Sequence, residues 1–219
     1  MDELIPLENR LPAERAVRDA EATKRRILKA AIVEFARHGL GGARVERIAK
    51  AARTNKRMLY YHVGNKEALF LAALEAAYDD IRAAERKLNL EALEPLAAIE
   101  RLVRFTWSYF VENREFLMLL NSENLHRARH LKKSKRIAAM NSPLIETLRH
   151  ILERGVAEGT IRPGIDPLQL YISMAGLAYF YLSNASTLSV TFGRDLLSKA
   201  EMRRRLDHIV ELVRAGVRA

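Results

Sequence analysis

Residues 43–65 constrain the fold more than any other stretch. Val45, Ile48 and Ala49 recur at helical spacing, Met58, Leu59 and Val63 do so again, and only Ala52, Arg53 and Thr54 stand between the two runs. Ahead of them, from about Asp19, Ile27, Leu28, Ala31, Ile32, Phe35 and Ala36 form a longer helical stripe that ends at Gly39, Gly41 and Gly42. Two short helices joined by so tight a turn and packed on a longer first helix describe a helix-turn-helix unit over residues 19–65. Asn55 is placed to cap its third helix.

The remainder reads as helix throughout, so the expected fold class is all-α. Asn65 can cap a long fourth helix with Glu67 in its first turn, running to about Leu88 with Leu69, Ala72 and Ala76 on one face, flanked by Leu71, Leu74 and Tyr78. Pro95 punctuates the next boundary. Further helical runs span Leu96 to Val111, the stretch around Phe116 to Leu120, Lys135 or Ile137 to Val156, Pro167 to Leu182 and Lys199 to Val217. Gly155, Gly159, Pro163 and Gly164 mark one connection, and Asn184 to Gly193 another. Only 10 glycines and 6 prolines in 219 residues argue against a many-turned β-fold. The expected organisation is a mobile arm over 1–18, in which Arg10, Arg15 and Arg18 could touch DNA, the helix-turn-helix unit over 19–65, and a helical effector-binding and dimerisation domain over 66–219.

Residues 167–193 carry no charge, which raises the question of a membrane. Only Leu170 to Leu182 is densely apolar, short of the roughly 20 residues a spanning helix needs, and Ser183, Asn184, Ser186 and Thr187 follow at once. A buried helix at a subunit interface is expected instead. Asp2, Glu3 and Glu8 do not read as a signal peptide, and the absence of cysteine fits a reducing cytoplasm and excludes thiolate metal sites and a Cys nucleophile.

The net charge of +10 favours a polyanionic partner. Between Arg44 and Lys66 stand Arg44, Arg47, Lys50, Arg53, Lys56, Arg57 and Lys66 against the single acid Glu46, so the charge concentrates on the helix-turn-helix. A second basic run, Arg127, Arg129, Lys132, Lys133, Lys135 and Arg136, reads as a solvated loop, with a contribution to an anionic effector site as the sharper alternative. His126 and His130 are four apart, but no Glu follows the first and no third ligand is evident, so no metal is expected. No nucleophile elbow, phosphate-binding loop or dinucleotide fingerprint is present, and the chain reads as a non-enzyme without cofactor.

Ile48-Ala49, Leu59-Tyr60-Tyr61-His62 and Lys66-Glu67-Ala68-Leu69 stand in the order and spacing of one known domain. Over Gly42 to Leu69 the sequence resembles the DNA-binding domain of the TetR family, and by motif the resemblance covers about the first 75 residues. It implies a homodimeric transcriptional regulator, most often a repressor released from double-stranded operator DNA by a small molecule. With the third helix in the major groove, Thr54, Asn55, Lys56 and Arg57 are the base-reading candidates. Arg44, Tyr60, Tyr61, His62 and Lys66 resemble the family's phosphate contacts. The departures are Arg53 where the turn glycine is usual, Arg57-Met58 where Gly-Thr is usual, Val63 for Phe, and Ala43 where a hydroxyl cap is common. A non-glycine residue in that turn costs roughly 1 kcal/mol of left-handed backbone strain unless the turn rearranges.

For the effector, Trp107, Phe110, Phe116, Met118, Tyr171 and Tyr179 with the polar Asn121, Asn124 and Asn184 are the candidate pocket, against the plainer reading of aromatic core and amides at helix ends. For the dimer, Tyr171, Met174, Ala175, Ala178, Tyr181 and Leu182 with Leu206, Ile209, Leu212 and Val213 supply two apolar faces for a four-helix interface. A DNA-binding protein without an effector, or a non-specific nucleic-acid binder, is the competing reading; salt titration on operator and random DNA separates them.

Overall fold

The computed structural model describes residues 12–219, apart from the side chains of residues 12–16, 138, 141 and 142. Arg10 and the Arg15 side chain therefore lie outside the described residues. The helices are α1 (Pro12–Gly42), α2 (Val45–Ala51), α3 (Lys56–Val63), α4 (Lys66–Arg86), α5 (Pro95–Glu112), α6 (Arg114–Leu125), α7 (Arg136–Ala157), α8 (Pro167–Ser183), α9 (Ala185–Phe192) and α10 (Lys199–Val217). The fold is all-α, and the one β-bridge among the described residues is an isolated pair, Ile161 with Arg218. No described helix is long and apolar enough to cross a membrane.

Helix starts follow local chemistry. Asn55 Oδ1 accepts from the Met58 N–H and Asn65 Oδ1 from the Ala68 N–H, each at 2.8 Å, so both expected caps form. Asp166 and Ser198 do the same for α8 and α10. Two boundaries and one buried face differ from expectation. α1 begins at Pro12, so residues 12–18 of the expected arm are helical, and its break falls at Gly39, whose φ of 62° only glycine adopts readily. Residues 184–193, expected to be a connection, contain α9: the Thr187 and Thr191 hydroxyls donate to carbonyls of the preceding turn, and Gly193 closes the helix in the left-handed region. In α4 the buried face is Leu69, Phe70, Ala73, Leu74, Ala77 and Ile81; Ala72 and Ala76 are only half-buried. The cause is that α4 packs against α1, α6 and α7, so more than one side of it is covered.

One apolar core runs from Ile27, Ile48 and Leu59 through Phe70 to Ile99, Leu119 and Leu148. Phe35 of α1 meets Phe70 of α4 edge-on at 5.1 Å, which ties the first three helices to the long fourth one. Gly155, inside α7, permits the close approach of the 158–166 connection: a Cβ there would lie 2.5 Å from Ile161 Cδ1.

Candidate nucleic-acid interface

The turn between α2 and α3 is held without glycine. Arg53 sits at φ 53°, so the left-handed conformation that the missing glycine would have favoured is kept and the strain borne. Arg26 on α1 stabilises it, donating from Nε to the Ala52 carbonyl at 3.2 Å.

The start of α2 is also unconventional. Arg44 is the N-cap residue and its side chain caps nothing. The cap comes from α1, where Glu34 Oε1 accepts from the Arg44 N–H at 2.9 Å and from Arg47 Nε at 2.7 Å. Burial pushes the Glu34 carboxyl up, but the Arg47 and Arg44 hydrogen bonds and the neighbouring charges outweigh it and hold the group below its ordinary range. Neither Arg26 nor Glu34 was singled out from the sequence, because each acts across ten residues or more.

On α3, Leu59 is fully buried and Tyr60 and Val63 pack on the core, while Met58, expected on the inner face, is 39% exposed. Lys56 and Arg57 are exposed, and Thr54 is half-buried in the turn. Asn55 uses its Oδ1 as the helix cap, leaving the Nδ2 donor for a base. Lys56 Nζ lies 2.6 Å from Glu46 Oε1 and 5.9 Å from the Tyr60 ring centroid, so this candidate reader is ion-paired in the free protein. The hydrogen bond and charge of that pair lower the Glu46 carboxyl and raise the Lys56 ammonium. Tyr61 is 80% exposed, with the half-buried His62 edge-on to it at 5.4 Å. Lys66 Nζ donates to the Gly41 carbonyl at 3.2 Å, which brings the start of α4 beside the start of α2, where Arg44 is exposed. Short exposed donors around a capped helix tip, rimmed by cations and aromatic hydroxyls, suit groove reading flanked by phosphate contacts.

Half of the second basic run is ion-paired to α4. Arg129 and Lys133 pair with Glu67 at 2.6 and 3.8 Å, Arg136 pairs with Asp79 at 2.9 Å and Glu75 at 3.6 Å, and Ser134 donates to Glu75 at 2.5 Å. The loop thus clasps α4. His130 Nδ1 lies 2.7 Å from Glu123 Oε2 with both side chains buried, and Glu123 Oε1 also accepts from the His130 and Leu131 N–H groups. His126 bonds the Ser122 carbonyl. These two histidines therefore have structural partners.

The expected effector residues line none of the main cavities among the described residues. Trp107, Phe110 and Phe116 are buried in the core, Met118 and Asn124 are exposed, and Asn184 donates to the Phe180 carbonyl at the end of α8. Asn121 links α6 to α8 through Tyr179 and Ser183. Of that set, Tyr171 alone reaches a buried charge, accepting from Arg82 Nη2 at 2.8 Å. The residues of the expected dimer face divide by burial. Met174, Ala178, Tyr181, Ile209 and Val213 are buried within the chain itself, and Tyr171, Ala175, Leu182 and Leu206 are half-buried. Leu212 is 47% exposed and, of the expected residues, it alone presents an open apolar side chain. The apolar groups actually presented on α8 are Leu168, Ile172 and Phe180.

A basic helix-turn-helix unit on an all-helical body defines a DNA-binding transcriptional regulator. Residues 27–73 match the description "Bacterial regulatory proteins, tetR family", and residues 95–213 match "Tetracyclin repressor-like, C-terminal domain". The chain is 40% identical over 199 residues to the HTH-type transcriptional repressor NicS of Pseudomonas putida, covering 91% of this chain and 94% of that one. An HTH-type transcriptional repressor of Streptomyces coelicolor is 37% identical over 164 residues, 74% of this chain and 81% of its own. Among solved structures, a TetR family transcription regulator from Marinobacter aquaeolei shares the fold, with a TM-score of 0.68 at 21% identity over 93% of this chain and 98% of that one. The protein belongs to the TetR family of bacterial regulators and is not an enzyme.

Proposed function

We propose that the protein is a homodimeric cytoplasmic repressor that seats α3 of each subunit in the major groove of a near-palindromic operator and leaves it when a small molecule binds the helical body. The observation that carries the reading is the tip of α3, where capped Asn55 is followed by exposed Lys56 and Arg57 and flanked by Tyr61, Lys66 and Arg44. Arg57 or Lys56 suits guanine, and the others suit phosphate. Relatives that carry the name repressor support the sign of control.

Dimerisation is supported by the groove between α8 and α10, where Phe180 and Leu212 are exposed and Gly176 and Gly216 have open space where a side chain would stand. Small residues beside large apolar ones allow helices of a second copy to approach closely. The division of labour places DNA reading in α1 to α3 with the start of α4, and effector binding and dimerisation beyond.

Selection of genomic fragments by the purified protein in physiological salt tests the reading. Recovery of a recurring near-palindrome with half-sites one or more helical turns apart supports it, and recovery of unrelated fragments refutes it.

A further inference from the structure

A cavity of about 170 Å³ lies between the C-terminal half of α4, the 3-10 turn Leu90–Ala92, and α7. Leu90, Met140, Pro143 and Leu144 give it apolar walls, and Arg82 and Glu85 line it although they are only 3% and 5% exposed. Charges so deeply placed ordinarily have every donor and acceptor matched. These do not. Arg82 Nη2 is matched by the Tyr171 hydroxyl, and Nη1 lies 2.8 Å from Glu85 Oε2 without hydrogen-bond alignment. Nε has no acceptor among the described residues.

Nor does Glu85 fully neutralise its neighbour. Burial pushes its carboxyl up to about 7 against the pull of Arg82 and Arg86, so near neutral pH a large share of it is protonated. Arg86 stands exposed at the cavity's edge and adds a second positive charge. The site is therefore a slot of mixed lining, in which Asn89, Glu91 and Thr147 stand beside the apolar groups, the Glu91 carboxylate offsets Arg86 at the edge, and an under-satisfied guanidinium forms one wall.

We infer that this cavity is the effector site and takes a small organic carboxylate of about the size of benzoate, whose carboxylate accepts from the Arg82 guanidinium while its hydrocarbon part fills the space against Met140 and Leu144. An engineered apolar cavity of about 150 Å³ holds benzene, so the volume suits one six-membered ring and its substituent. A planar fork that can give two parallel hydrogen bonds favours a carboxylate over a neutral amide of equal shape. The inference rests on the ligand-responsive reading above, and it assigns the effector to residues outside those expected from the sequence.

The test titrates the full-length protein with benzoate and with benzamide, its neutral isostere, following the Met140 and Leu144 methyl resonances by NMR and operator release by fluorescence anisotropy. Benzoate is expected to shift those methyls saturably and to bind at least about tenfold more tightly than benzamide. Arg82→Met combined with Glu85→Gln, which leaves no lone buried charge, is expected to abolish that preference. Unmoved methyls, equal response to the two compounds, or unchanged preference in the double variant overturns the site. If the double variant does not fold, the benzoate and benzamide contrast on the native protein still decides. Operator release separates the two readings: benzoate bound at these methyls without release keeps the site and removes its effector role. A compound that releases operator equally from native and double-variant protein keeps the effector reading and removes the site.

Discussion

Glu34 on α1 accepts from the backbone N–H of Arg44 at 2.9 Å and so caps a helix ten residues further along whose own N-terminal side chains cap nothing. A carboxylate at a helix N-terminus meets both the orphan N–H groups and the positive end of the macrodipole, and here it also holds Arg47. Glu34→Ala should therefore cost about 1–2 kcal/mol, the range of a lost cap, and lower the melting temperature by several degrees. The native Glu34 pKa lies below its ordinary 4.5, so its contribution is present in full above that value and is lost as pH falls through the lower native one. Thermal melts of native and Glu34→Gln protein should differ at pH 7 and converge in acid. A gap that stays constant down to pH 2 would show that the charge does not matter.

Arg53 bears the turn's strain at φ 53°. Arg53→Gly should stabilise the protein by up to about 1 kcal/mol, because glycine adopts this region at no steric cost while losing some unfolded-state entropy. Arg53→Ala should give no such gain. Denaturant midpoints at equal slope check the difference.

The pair Lys56–Glu46, at 2.6 Å and exposed, places a carboxylate beside the groove-reading residues. Glu46→Gln should free Lys56 for DNA and remove a charge that repels phosphate. Binding is expected to tighten on operator and random DNA alike, and more so at low salt. Arg57→Ala should behave otherwise, losing about 1–3 kcal/mol on operator with relaxed preference at one base pair. Binding isotherms on single-substitution operator variants distinguish the two, and uniform losses for Arg57→Ala would end its reading role.

What the sequence made legible was local. The apolar stripe of α1, the caps at Asn55 and Asn65 and the bare turn at Arg53 each depend on neighbours within one turn of helix, and each is found where the pattern put it. What it hid was set by distant partners. The Glu34 cap crosses from α1 to α2, and the basic run near Arg129 meets its counter-charges, Glu67, Glu75 and Asp79, about sixty residues away in the chain. The orientation of α8 was hidden for another reason: a helix without a charged residue has no polar side to mark the face that turns outward. Its core-facing residues consequently looked as suited to a partner subunit as its exposed ones.

That ambiguity yields a decisive pair of substitutions. Phe180 on α8 and Leu212 on α10 are exposed beside one groove, whereas Met174 is 2% exposed in the chain's own core. Phe180→Asp with Leu212→Asp should leave the monomer fold intact, since surface changes rarely shift stability by more than about 0.5 kcal/mol, yet place charges in the proposed interface. Met174→Asp should instead unfold the chain, because an unpaired buried carboxylate has no compensation there. Light scattering at micromolar concentration should report monomers for the double variant, with unchanged helical circular dichroism and lost operator affinity, because one subunit grips one half-site. A persistent dimer in the double variant would place the interface on another face of the helical body.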